Sequence, residues 1–315
     1  MEPLYRDFLP DDLPDLARVF REAFGGELSV AEWTWKYVDS PFHGASVVAV
    51  VDGRPEGFYG AWATRYRGAA GNLPGVAAVD VMTSRAAQAL GRHVVFRELA
   101  LTFSARNGDL GAPFFFGFPN DRHRIMGEKL LDYVEVERCG EWEATALPAR
   151  RRTLFRRTAR GARFGTPHAS LAEMLHGRGG WRSDRSGRIL NWRFFDRPGA
   201  IYDVVQLLAL SGRSRGYAVV RKEGPVGRIV DFQVRDESGA DVPDLLAAVA
   251  EAGPAERWIV RGPRQGILAA RWTGELGFTE RVSDCSFTVR RLTDGFEVLE
   301  AARAFDYRFS DHDVF

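Results

Sequence analysis

The stretch Val79–Leu99, VDVMTSRAAQALGRHVVFREL, decides how this chain is read. It begins in an apolar, valine-rich run, Ala77–Met82, with the length of a buried strand. Thr83 and Ser84 then offer side-chain oxygens that can cap a helix. Gln88 follows, three residues before Gly91, and Leu90, Val94 and Leu101 make an apolar stripe at helical spacing. Strand, polar turn and helix in this order bring unpaired backbone N–H groups to one point, and such a point binds phosphate. The spacing of Gln or Arg to Gly recurs at Arg54, Arg65, Arg124, Arg213, Arg221 and Arg271. Only Gln88 has an apolar strand ahead of it and a striped helix behind.

Upstream, Asp12 and Pro14 start a helix whose apolar positions are Leu13, Leu16, Val19, Phe20 and Phe24, and Gly25–Gly26 stops it. Ser29 and Glu32 form a capping box for a second helix, which carries Trp33, Trp35 and Tyr37. Ser46–Val51 and Glu56–Thr64 read as strands joined at Asp52–Gly53, a hairpin signal. Downstream, Pro113–Pro119 holds a phenylalanine-rich strand, Asn120 leads a helix to about Leu131, and Tyr133–Cys139 alternates as a strand.

Gln88, Gly91 and His93 resemble the acyl-CoA-binding motif of the GCN5-related N-acetyltransferases: Gln or Arg, two residues, Gly, one residue, then Gly or Ala. His93 departs at the last place. The element order α, α, β, β, β, α, β, α, β is similar to that family's fold. Phe118-Pro119-Asn120 stands where members often place an Asn near the pantetheine arm. Lys129-Leu130-Leu131-Asp132-Tyr133 stands where they end a helix in Lys-Leu-Gly-Phe, with Asp132 in place of the Gly. The resemblance covers roughly residues 1–140. It implies a mixed α/β fold, acetyl-CoA or another acyl-CoA as donor substrate, and donor contacts from Val81, Met82, Thr83, Gln88, Ala89, Leu90, Gly91, Arg92, His93 and Asn120.

The second half repeats the first. Trp35-Lys36-Tyr37-Val38-Asp39-Ser40-Pro41 is echoed 157 residues on by Trp192-Arg193-Phe194-Phe195-Asp196-Arg197-Pro198. Gly57-Phe58-Tyr59 finds Gly216-Tyr217-Ala218, Asp80 finds Asp231, and Leu131-Asp132-Tyr133 finds Leu276-Gly277-Phe278. Several matches in one order indicate duplication. The expected organisation is two tandem acyl-CoA N-acyltransferase-like domains: residues 1–143 with the acyl-CoA site, an Arg-rich connector 144–180, a degenerate second copy 181–292, and an exposed tail 293–315. The second copy lacks the cradle, because Asp236, Glu237 and Asp241 follow the Asp231 strand and would repel phosphate. Cys139 and Cys285 fall at similar places in the two halves, which suggests one buried thiol per domain. In the connector, Arg152, Arg156, Arg160 and Arg163 would share one helical face.

Charges nearly cancel, with 43 Lys+Arg against 42 Asp+Glu, so global charge gives no sign of a nucleic-acid partner. The two cysteines imply no disulfide framework. The start, Met1–Asp12, is acidic and has no apolar core of a signal peptide, and no run is long enough to span a membrane. A cytoplasmic, soluble protein with no membrane partner is expected. Ser310-Asp311-His312-Asp313 is too weak a pattern to name a metal ligand set, so no metal is expected.

Acyl transfer to an amine requires proton removal, a polarised carbonyl and a leaving thiolate. Asp80 is the carboxylate inside the apolar run, and is read as base or water relay, with backbone N–H groups near Met82 polarising the carbonyl. The resemblance implies a Tyr acid on the helix after the fifth strand. Asp121–Leu131 has no Tyr, and His123 is the substitute. Three functions are open: an acyl-CoA-dependent N-acyltransferase acting on a small-molecule or glycan amine; an aminoacyl-tRNA-dependent transferase of the peptidoglycan-bridge type, the one reading in which tRNA is a partner; and a non-catalytic ligand-binding protein.

Overall fold

A computed structural model describes residues 2–68, 71–91, 93–148, 156–176 and 180–312. The first half runs β1 (Leu4–Asp7), α1 (Leu13–Phe24), α2 (Val30–Trp33) with a π-helical turn at Thr34–Val38, β2 (Val47–Val51), β3 (Arg54–Gly68) and β4 (Gly71–Thr83). It continues through α3 (Arg85–Ala89), α4 (Val94–Asp109), β5 (Phe114–Gly117), α5 (Asp121–Leu131) and β6 (Val134–Arg138). Next come β7 (Gly140–Ala144), β8 (Arg156–Arg160), α6 (Thr166–His176), β9 (Trp181–Ser183), α7 (Gly187–Phe194), β10 (Asp203–Ala209), β11 (Ser214–Glu223) and β12 (Val226–Val234). The chain closes with α8 (Asp241–Ala252), β13 (Arg257–Gly262), α9 (Ile267–Gly274), β14 (Thr279–Arg281), β15 (Ser286–Arg291) and α10 (Val298–Arg303).

Local chemistry accounts for many of these boundaries. Gly25, at φ +72°, ends α1 in the left-handed conformation that costs glycine little. Ser29 and Glu32 close the anticipated capping box on α2. Asp52 and Gly53, both at positive φ, turn β2 into β3. Asp12 does not cap α1. Its carboxylate is held by both Arg6 nitrogens, at 2.6 and 2.8 Å.

The strands form two sheets. The first has the order β1-β2-β3-β4-β5-β15-β6, with β9 added beside β3, and the second has the order β14-β7-β13-β12-β11-β10-β8. The halves therefore exchange strands. β15, from the C-terminal half, lies between β5 and β6, and β7, from the N-terminal half, lies between β13 and β14. Residues 1–143 and 181–292 are thus linear ranges that do not coincide with the two sheets. The phenylalanines of β5 divide accordingly: Phe115 packs with Leu99 and Phe103 of α4, while Phe114 and Phe116 pack with Phe287, Val289 and Phe305 at the seam.

The repeat read from sequence is visible as paired geometry. Trp35 and Trp192 stack on each other, with ring centroids 4.8 Å apart, and Trp35 Nε1 donates to the Trp192 carbonyl at 3.0 Å. Asp132 (φ +54°) and Gly277 (φ +76°) both take the left-handed conformation just after their helices. Asp132 thus replaces glycine at a position that still demands glycine-like backbone.

Four expectations are corrected. The connector is no single helix: Arg156–Arg160 is a strand paired with β10, so the helical spacing read from Arg152 to Arg163 does not apply. Arg160 reaches Glu251 at 3.6 Å and Arg163 pairs with Asp196; Arg150, Arg151 and Arg152 lie outside the described residues. The tail is not exposed, since Phe305, Tyr307, Arg308, Phe309 and His312 are all buried. Cys139 and Cys285 are not separated by domain, because the strand exchange brings them together. Finally, the stripe Leu90–Val94 is not the packed face. Leu90 and Val94 are 43% and 57% exposed, and α4 buries Val95, Phe96, Leu99, Ala100 and Phe103 instead. The helix breaks at Gly91 and restarts at Val94, which resets the helical phase.

Candidate functional site

β4 and β5 run parallel but pair only at Val76–Phe115 and Ala77–Phe116. Beyond Ala77 the strands part. The gap opens into a cavity of about 320 Å³, walled by Ala78–Val81, Phe115, Gly117–Pro119, Phe20, Phe24, His123 and Tyr133. A second cavity, of about 200 Å³, shares Val81 and His123 with it and adds Met82, Thr83, Gln88, Asn120 and Arg122. The two form an apolar slot that leads to a polar mouth. Along this slot the β5-facing edge of β4 has no strand partner among the described residues.

Asp80 stands where the gap opens. Phe58 pairs with Met82 and Gly60 with Val79, so Asp80 and Val81 oppose the single residue Tyr59, which is a β-bulge. Asp80 has φ +47°, in the left-handed region that Asp tolerates better than most residues. Gly60 is needed opposite it, because a Cβ there would lie 2.5 Å from the Tyr37 hydroxyl and 2.6 Å from the Val79 carbonyl. Lys36 Nζ donates to Asp80 Oδ2 at 2.6 Å, and the Tyr37 hydroxyl donates to the same oxygen. Lys36 and Asp80 side chains are only 6% and 10% exposed, so this is a desolvated ion pair at the edge of the cavity. Sequence reasoning singled out Asp80 and missed both partners. Lys36 was visible only as the basic residue of the repeated Trp-basic-aromatic pattern.

The turn after β4 differs from the anticipated one. Ser84 Oγ caps the Ala87 N–H at 3.1 Å, and Glu22 of α1 accepts from the Arg85 N–H at 2.6 Å. The N-terminus of α3 is therefore already filled. Gln88, exposed, donates to the Thr83 carbonyl at 3.0 Å, and Ala89 and Leu90 end this short turn. Gly91 has φ +126°, and His93 precedes α4 without a side-chain cap. An open helix N-terminus thus belongs to α4, ten residues after the predicted start at Ser84. Arg92 lies outside the described residues.

Across the slot, Asn120 Oδ1 accepts from the His123 N–H at 3.0 Å and caps α5. The His123 ring packs edge-on to Phe96, and burial pushes its pKa down to about 4. It is therefore neutral near pH 7 and a poor proton donor, contrary to the acid role expected of it. Tyr133, two residues past the end of α5, lines the cavity; its hydroxyl meets that of Tyr59, and burial raises its pKa well above the usual phenol value. The C-terminal segment supplies Asp311 and His312, the latter stacked on Phe118 with centroids 3.6 Å apart. Burial first, then Arg261 and Arg193, keeps His312 neutral.

A pH effect follows from His123. Its folded pKa lies below its unfolded value, so between about pH 6.5 and pH 4 the unfolded chain binds a proton that the folded chain refuses. Stability should fall with acidification through this window. His123→Gln should lose less melting temperature than the wild type between about pH 7 and pH 5. Its slope should not vanish, because burial also depresses His168 and His312. An unchanged slope in thermal scans would show that His123 takes up its proton equally in the folded and the unfolded chain.

The second copy keeps the skeleton but lines its gap with charged side chains. β12 carries its own bulge at Val230, next to Asp231, and parts from β13 after Ile229–Val260. Asp231 is bound by Arg185 at 3.0 Å, while the Lys36 counterpart, Arg193, packs over Trp62 at 3.9 Å and donates to the His312 carbonyl at 2.7 Å. The gap there is a cavity of about 210 Å³ lined by Arg182, Phe232, Glu237, Arg261, Asp306 and Arg308.

No known family model matches this sequence, and no curated protein does. Solved structures do. A conserved protein of unknown function from Enterococcus faecalis V583, described as a probable N-acyltransferase, is similar over 93% of this chain and 73% of its own, with TM-score 0.68 and 10% identity. A GCN5-related N-acetyltransferase from Anabaena variabilis gives the same coverages and TM-score at 13% identity. A tandem GCN5-related protein from the clavulanic acid biosynthesis pathway is similar over 94% of this chain and all of its own, with TM-score 0.60 and 10% identity. The chain thus has the fold of the GCN5-related N-acetyltransferases, built twice in tandem. No helix among the described residues is long and apolar enough to cross a membrane.

Proposed function

We propose that this chain is an acyl-CoA-dependent N-acyltransferase with one donor site, in the gap between β4 and β5. The observation that carries the reading is the parted strand pair itself. It exposes one edge of β4 to an apolar slot of about 320 Å³ that leads to the polar mouth at Gln88 and Asn120. A thioester arm in that slot would meet the unpartnered edge of β4 as a strand would, and the pyrophosphate would lie at Gly91–His93 before α4. Edge N–H groups near Val81 and Met82 would polarise the thioester carbonyl. Asp80 would receive or relay the proton of the acceptor amine, and Tyr133, kept protonated, would supply one to the departing thiolate. The acceptor is proposed to be a small-molecule or glycan amine. Arg160 and Arg163 already face acidic neighbours, which favours this over tRNA as the source of the transferred group.

Calorimetric titration with acetyl-CoA, free CoA and aminoacyl-tRNA tests the reading. The first two should bind in a one-to-one ratio, and binding of aminoacyl-tRNA alone would replace it with the peptidoglycan-bridge type. Gly91 locates the pyrophosphate. At φ +126° any side chain is strained, and a Cβ would also approach Val94 Cγ2 to 3.1 Å, so Gly91→Ala is the proper reference. Gly91→Glu adds a negative charge to the same strain. It should bind acetyl-CoA at least about tenfold more weakly than Gly91→Ala, equivalent to about 1.4 kcal/mol. Equal affinities would move the pyrophosphate elsewhere.

A further inference from the structure

The strand exchange places Cys139 at the crossover from β6 to β7 and Cys285 just before β15. The two face each other one step beyond the Arg138–Ser286 pair, and the Cys139 N–H donates to the Cys285 carbonyl at 3.1 Å. Directly opposed residues on antiparallel strands have Cα atoms about 4.5–5.5 Å apart, inside the range of about 4.4–6.8 Å that a disulfide spans. Both sulfurs and a ring nitrogen of His312 lie within 4.8 Å of one another, and all three residues are buried. We propose that Cys139 and Cys285 form a reversible intramolecular disulfide that fastens the two exchanged strands together.

Arg261 makes the pair reactive. Its Nη1 lies 3.1 Å from Cys285 Sγ and 3.1 Å from His312 Nδ1, and Glu141 fixes the guanidinium through Nε and Nη2 at 3.1 and 2.6 Å. Asp284 Oδ1 stands 3.4 Å from Nη2, and Ser283 Oγ 3.5 Å from Cys285 Sγ. Contact with Cys139 and Arg261 brings Cys285 down to about 7, while burial raises Cys139, whose neighbour Tyr307 is also held protonated. One thiol is thus a nucleophile and the other a resolving group. The same guanidinium is already the cation of the cluster, which argues against a metal ion between the sulfurs and the imidazole. His312 also lines the acyl cavity, so the buried thiols lie one side chain behind that cavity.

With hydrogen peroxide as oxidant, the Cys285 thiolate attacks one oxygen. An S–O bond forms, the O–O bond breaks, and the departing hydroxide takes a solvent proton to become water. Cys139 sulfur then attacks Cys285 sulfur. The S–S bond forms, the S–O bond breaks, and hydroxide leaves with the Cys139 proton as a second water. Two thiols and one peroxide give one disulfide and two waters.

The intact 315-residue chain suffices for the test, because Cys139 and Cys285 are the only cysteines in it. After peroxide treatment and removal of the oxidant, a denaturing thiol count should fall from two to none. The intact mass should drop by two hydrogens, the chain should stay monomeric on a non-reducing gel, and dithiothreitol should restore both thiols. The oxidation rate should rise through about pH 7, following the thiolate of Cys285. Cys139→Ser should instead trap Cys285 as a sulfenic acid that dimedone labels, while Cys285→Ser should give no label. Both thiols surviving oxidation in folded protein, separate over-oxidation of each, a disulfide between two chains, or stoichiometric zinc(II) held by the thiols would each overturn the proposal.

Discussion

Expressed separately, Met1–Glu143 and Gly180–Phe315 should each fail to fold. The reason is the exchange of interior strands. The first fragment lacks β15, so β5 and β6 lose the strand that joins them. It also loses Phe287, Val289, Phe305 and Tyr307, each at most 2% exposed in the whole chain, from the cluster around Phe114 and Phe116. At about 1.5–3 kcal/mol for each fully buried side chain, the loss is about 6–12 kcal/mol. Whole domains are stable by only about 5–15 kcal/mol. The second fragment lacks β7, and with it Trp142 (2% exposed), leaving β13 and β14 unconnected. Circular dichroism and thermal scans of the fragments should show no cooperative transition, while co-expression of the two should recover one. A cooperative melt from the first fragment alone would mean that the exchanged strand adds little. A tandem repeat by itself favours independent folding of each half, and the strand exchange is the reason for expecting the opposite.

How much of this was legible depends on the range over which each signal acts. Short-range signals held: the Ser29–Glu32 box, the Asp52–Gly53 turn, the Gly25 stop and the Asn120 cap each depend on a few adjacent residues. The tandem copy was legible because Trp35 and Trp192 carry the same local pattern, and the two rings meet across the pseudo-symmetry. Choice of sheet was not legible, since alternation in Tyr133–Cys139 or Ser286–Arg291 states only that a strand has two faces. The helical phase failed at Gly91, where a break shifts the packed face from Leu90 and Val94 to Val95, Phe96 and Leu99. The buried tail did carry a signal. Phe305, Tyr307 and Phe309 alternate with Asp306 and Arg308, a period of two that an exposed tail has no cause to show. In the candidate site, Asp80 could be found because a carboxylate in an apolar run needs a partner or a task. Its partner Lys36 is 44 residues away, beyond any local rule.

Asp80→Asn should lower both stability and turnover, and the two losses can be separated through Lys36. Removing one member of a buried ion pair strands the other, at a cost of about 3–5 kcal/mol. Lys36 and Asp80 are buried deeply enough for that figure to apply. Replacing both members by neutral groups of similar shape is often close to neutral. The double variant Lys36→Met with Asp80→Asn should therefore melt well above either single variant. Turnover should behave differently. If Asp80 takes or relays the amine proton, its loss lowers turnover by about 10²–10⁴ in the double variant as in the single, with acetyl-CoA affinity held within a few-fold. Asp231→Asn is the internal control: it breaks the pair with Arg185 in the copy to which no donor site is assigned, and should cost stability alone. The ammonium beside Asp80 gives the opposing outcome a physical basis, because a carboxylate held by Lys36 and Tyr37 can also act by fixing the bulge at Val79–Met82. A double variant that regains turnover together with its melting temperature would assign Asp80 that positioning role, and leave attack by an already neutral amine as the mechanism.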